Sequence, residues 1–131
     1  MRVAAVLLVL SAAIGCAGVG SNQCFITAIK VSPQTATVDH TATPPGNSQV
    51  FDAFQTGAPS GCGFTQANLQ TAVWSVSDTV NASISNSHDQ SNLNYGRATC
   101  INAAPSPVMV TATVPSGNGS NVTATATLTC K

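Results

Sequence analysis

Between residues 122 and 130 the chain alternates without a break: Val122, Ala124, Ala126, Leu128 and Cys130 take the even positions, and Thr123, Thr125, Thr127 and Thr129 stand between them. A period of two sends the two sets to opposite faces of an extended strand, whereas a helix would spread them around its circumference. Shorter versions of the pattern run through 108–114, where Val108, Val110, Ala112 and Val114 face one way, and through 80–84, where Val80, Ala82 and Ile84 alternate with Asn81 and Ser83. Runs rich in β-branched and aromatic residues at 26–31, 50–55, 72–76 and 95–101 add four more strands. Ala36 and Val38 continue the first as an edge piece beyond Ser32-Pro33, since proline has no N–H to give to a ladder. No segment has a comparable helical period.

Turn chemistry separates these runs. Pro44-Pro45-Gly46-Asn47, the Gly-rich stretch 57–68 that holds Cys62, the polar stretch 86–94, the prolines at 105 and 107 and the run 115–119 are all poor strand formers. About seven short strands with such punctuation predict an all-β domain in which two sheets each bury one face, an immunoglobulin-like β-sandwich. Its expected core includes Phe51, with Ala53 on the same face, Trp74, Val110 and Leu128.

The first residues follow a different pattern. Arg2, an apolar run over 3–10 and the small residues of 11–17 read as a signal peptide over 1–16, followed by a linker over 17–23 and the domain over 24–131. Ala13-Ile14-Gly15-Cys16 resembles a bacterial lipobox, which implies lipidation of Cys16 and a place on the outer membrane or cell surface. Ordinary cleavage after a small residue such as Ala17 would instead release a secreted protein. Either route takes Cys16 out of the thiol count and leaves Cys24, Cys62, Cys100 and Cys130. An even number in an oxidising compartment implies two disulfides, with three possible connectivities, and the wide spacing lacks the close pairs of a zinc site.

Composition narrows the partners. Of 131 residues 44% are hydrophobic and 6% are charged. Once Arg2 is removed with the leader, Lys30, Arg97 and Lys131 stand against Asp39, Asp52, Asp78 and Asp89. A near-neutral domain has no basic stripe for phosphates and no cationic face for a bilayer, so nucleic acid is not expected and membrane contact is expected only through a lipid on Cys16.

The order Ile29-Lys30-Val31-Ser32-Pro33, Val50 to Ala53, Trp74-Ser75-Val76-Ser77-Asp78, Gly96 to Thr99 and Val108 to Val114 is similar to the bacterial immunoglobulin-like group 2 domain. That family opens on V-x-P and continues with W-S-x-S-(N/D) and G-x-(A/V)-T strands. The four cysteines and the stretch 104–107 depart from its pattern. The resemblance implies a surface module used for spacing, adhesion or carbohydrate contact, with no catalytic residues to carry over. In a seven-strand, up-and-down order the start of the first strand meets the 57–68 loop, and the ends of the fifth and seventh strands meet at the opposite end. That order pairs Cys24 with Cys62 and Cys100 with Cys130.

Candidate chemistry is sparse. Trp74 could stack on a sugar, but a central sandwich strand makes it a core residue; Phe64 and Tyr95, in or beside polar loops, are better placed for ligand contact. His40 and His88 lie far apart without a nucleophile at triad spacing, so no catalytic residue is expected. Asp78, Asn81 and Asp89 offer oxygen ligands but no D-x-D-x-D run, and Asp78 more simply caps a turn; neither metal nor cofactor is expected. The expected function is a non-enzymatic extracytoplasmic module acting on an unknown protein or glycan, with a carbohydrate-binding module as the alternative and a small secreted hydrolase the least supported.

Overall fold

The strict alternation at the C-terminal end becomes the longest strand of the computed structural model, which describes residues 23–64, 66–88 and 94–131. Cys16 and the rest of the expected signal peptide lie outside the described residues. All described elements are strands: β1 (Ala28–Ser32), β2 (Thr35–Val38), β3 (Ser48–Val50), β4 (Asp52–Gly57), β5 (Val73–Val76), β6 (Ala82–Ile84), β7 (Arg97–Cys100), β8 (Val108–Pro115) and β9 (Asn121–Cys130). They form three sheets, ordered β1-β4, β2-β9-β8-β5 and β3-β7-β6.

The strand count is nine rather than seven because two expected strands each divide between sheets. β1 pairs antiparallel with β4 as far as Ser32, and beyond Pro33 the chain leaves that ladder to run parallel to β9, with Thr35 beside Thr127 and Val38 beside Cys130. The expected 50–55 strand breaks at Phe51: Ser48–Val50 pairs with β7, and Asp52–Gly57 with β1. At the break Phe51 is fully buried, and its N–H donates to the Gly96 carbonyl at 2.9 Å.

Two expected strands are also shorter than their sequence pattern. Val80 does not join β6 and is 72% exposed, because Asp78 Oδ1 accepts the N–H groups of Val80 and Asn81 and closes a turn there. Tyr95 and Gly96 precede β7 in a turn. Gly96 has φ +70°, and a Cβ at that position would lie 2.2 Å from the Phe51 carbonyl oxygen, so the approach of the two segments requires glycine.

The inner faces of all three sheets contribute to one apolar cluster in which Phe51, Trp74, Val110 and Leu128 are buried with Val31, Val108 and Val114. Trp74 lies opposite Ala112 in the β5-β8 ladder, a large residue beside a small one on the same inner face. Full burial of a Val, Leu or Phe side chain is worth roughly 1.5–3 kcal/mol. Disulfides join Cys24 to Cys62 and Cys100 to Cys130, with Cα separations of 5.6 and 5.5 Å. The second bridge ties β7 to β9, and so the three-stranded sheet to the four-stranded one. Closing loops with separations of 38 and 30 residues restricts the unfolded chain by about 4 kcal/mol each in the chain-entropy account. Two such bridges point to folding in an oxidising, extracytoplasmic compartment.

Candidate functional site

The residues singled out for ligand contact part company. Phe64 lies between β4 and β5 and is 42% exposed. Tyr95, expected to be accessible, is 2% exposed. The turn before β7 directs its ring inward, where it meets Trp74 edge-to-face at 6.4 Å and 75°. The Tyr95 hydroxyl donates to the Ala72 carbonyl, with the Leu69 carbonyl 3.2 Å away, and His88 stacks on the ring at 4.2 Å. Burial raises the Tyr95 phenol above its ordinary value. Tyr95 is therefore a structural residue that fixes the 69–72 segment, not an open platform.

The other titratable candidates are held by local contacts. His40 Nδ1 meets the Lys131 carbonyl, while His88 covers Tyr95. Asp78 Oδ2 accepts from Asn81 Nδ2 at 2.7 Å while Oδ1 takes backbone N–H groups. These bonds, that of the Asn81 side chain foremost, hold the Asp78 carboxyl below its ordinary value. Among the described residues no three His, Cys, Asp or Glu side chains gather into a metal-binding group.

Two surfaces emerge instead, both assembled by strand register. One is a groove of about 610 Å³ on the outer side of the three-stranded sheet, lined by Pro44, Pro45, Asn47, Ser48, Arg97 and Thr99. Ser48 lies opposite Thr99 and Val50 opposite Arg97, and Arg97 Nη1 donates to Ser48 Oγ at 3.0 Å. The sequence showed Arg97 only as one of few cations. Its alternation with buried Ala98 was the available signal for an outward side chain.

The second surface is the outer face of β2-β9-β8-β5. Because Ala126, Leu128 and Cys130 point inward, the intervening threonines all point out. Register then sets Thr35 beside Thr127, Thr37 beside Thr129, Thr111 beside Thr125 and Thr113 beside Thr123. Ser75 extends one row through Thr111, and Val73, 60% exposed, extends another through Thr113. None of these four strands contains an ionisable side chain. The Thr alternation was plain in the sequence, but only the parallel placement of β2 and the pairing with β8 turn one row into a two-dimensional array.

No protein-family model matches the chain, and no curated protein matches it either. What the structure defines is a disulfide-linked all-β protein with an uncharged threonine face on its largest sheet.

Proposed function

We propose that this protein is a non-enzymatic extracytoplasmic module of immunoglobulin-like β-sandwich type, similar to the bacterial immunoglobulin-like group 2 domain, that acts by surface contact. It is exported, and is either held at the envelope by a lipid on Cys16 or secreted. The chain order supports the sandwich reading. Since β3 runs on into β4, the two smaller sheets read as one bent layer, β1-β4/β3-β7-β6, opposite β2-β9-β8-β5. In immunoglobulin lettering these are layers A-B-E-D and A′-G-F-C, with the first strand switching layers at Pro33.

The observation that carries the contact role is the outer face of the four-stranded sheet, where four Thr–Thr pairs lie in register without a charge among the strands that bear them. The test is binding of the folded, disulfide-bonded protein to a panel of insoluble surfaces, ice and envelope polysaccharides among them. Binding is expected to survive Arg97→Ala and to be lost in Thr125→Arg, which puts a cation at the centre of the face. Loss in Arg97→Ala alone would move the site to the groove and favour the carbohydrate-binding alternative. Substrate turnover dependent on His40 or His88 would overturn the non-enzymatic reading.

A further inference from the structure

The threonine face has a repeat as well as a composition. Residues on one side of a strand recur about every 6.6–6.8 Å, and neighbouring strands lie about 4.7–4.9 Å apart. The paired threonines of β2, β9 and β8 therefore mark out a grid with two fixed intervals. Each grid point carries a hydroxyl and a methyl group on a side chain that β-branching makes stiff at χ1. Among the described residues no hydrogen bond engages the hydroxyls of these eight threonines. The nearest ionisable residues along the chain, Asp39 and Lys131, lie past the ends of β2 and β9.

These features select against a small soluble ligand. Such ligands are held in concave, largely apolar pockets with a few placed polar groups. A single hydroxyl hydrogen bond nets only about 0.5–1.5 kcal/mol against water. A rigid array gains when its partner is rigid and repeats at similar intervals, because the freedom lost on association is lost once for many weak contacts. The chemistry of the face narrows that partner. A sugar polymer is usually met by exposed aromatic rings, yet the one aromatic residue in these four strands, Trp74, is buried. Ice excludes ions from its lattice, and a charged side chain would hold liquid hydration against it; this face presents hydroxyl and methyl groups alone over its paired threonines.

We propose, resting on the surface-contact reading above, that the threonine grid of β2, β9 and β8 is an ice-binding face. Hydroxyls and methyls set at those two intervals would together order water along the face. Met109, 52% exposed in the row of Thr35 and Thr127, borders the grid with apolar surface.

The experiment freezes a solution of the fluorescently labelled full-length protein slowly around a seeded ice surface, and in parallel sediments the protein with cellulose, chitin and peptidoglycan. The expected result is several-fold enrichment in the ice over a control protein and slowed recrystallisation of fine-grained ice. Thr125→Arg should return to the control's exclusion while keeping its disulfides, circular dichroism and melting temperature; Thr111→Arg checks the same face if that variant fails to fold. Arg97→Ala, outside the grid, should stay enriched. Exclusion of the wild-type protein from ice, with Thr125-dependent binding to a polysaccharide, would overturn the ice proposal and leave the surface-contact reading standing. Enrichment unchanged by Thr125→Arg and Thr111→Arg would overturn the grid as the ice-binding face, and absence of binding to every solid would overturn both readings.

Discussion

The outer face of the four-stranded sheet and the turn that opens the three-stranded sheet are opposite solutions to making a β protein. In the first, β8 and β9 run together from Val108 beside Leu128 to Pro115 beside Asn121, and Thr123, Thr125 and Thr127 stand exposed on the outer face. In the second, strands of three and four residues meet, and Gly96, Tyr95 and Phe51 are placed by particular close contacts. A long ladder spreads its stability over many equivalent positions, so its surface chemistry is free to serve a partner. A short ladder depends on particular atoms, so its residues are occupied by the fold itself. The contrast explains why Tyr95, polar-tipped and next to a loop, is structural, while plain threonines make the larger accessible surface.

That contrast is breakable. Gly96→Val should be the most damaging substitution, about 4 kcal/mol in urea unfolding, because it combines a positive φ with a Cβ driven into the Phe51 carbonyl. A cost no larger than that of Thr125→Arg would void the comparison. Replacing Cys100 and Cys130 together by serine should cost slightly less, just under about 4 kcal/mol through the unfolded chain, and hydrogen exchange should rise first in β6 and β7, not in the β8-β9 pair.

Tyr95→Phe should cost about 1 kcal/mol at neutral pH, since the Ala72 carbonyl loses its donor. Its pH dependence has a definite sign. The folded phenol titrates above its ordinary value of 10.0, so its contribution is complete below that pH and is lost as the pH rises through the folded value. Alkaline unfolding of the wild type should therefore steepen above pH 10.0, and Tyr95→Phe should lack that limb. Thr125→Arg should be the mildest change, within about 0.5 kcal/mol in stability, so that any loss of binding it causes belongs to the surface.

Much of the strand plan could be read along the chain because it rests on period and punctuation. β8 and β9 follow from alternation, and β1 stops where Pro33 removes a donor. Along the chain Phe51 looks like one point of a continuous strand, since nothing local marks a residue at which the chain changes partners. Val80 fitted the alternation of its neighbours, yet the Asp78 side chain caps the backbone there and ends the pattern. The groove at Arg97 was not legible at all, because Ser48 and Arg97 are brought together only by the β3-β7 register.

Legible along the chain alone are an all-β protein, the extent of its longest strands, the inward set of Leu128, Val110 and Trp74, and the outward row of threonines in β9. Side-chain period and backbone donors are properties of neighbours along the chain. The expected strand order also paired Cys24 with Cys62 and Cys100 with Cys130, as in the structure; how the first two expected strands divide between sheets, and which rows align across them, came only with the assembled fold. Those outcomes depend on pairing between segments tens of residues apart. The proposed contact face belongs to both levels: alternation turns the threonines outward, and register between distant strands makes them a grid.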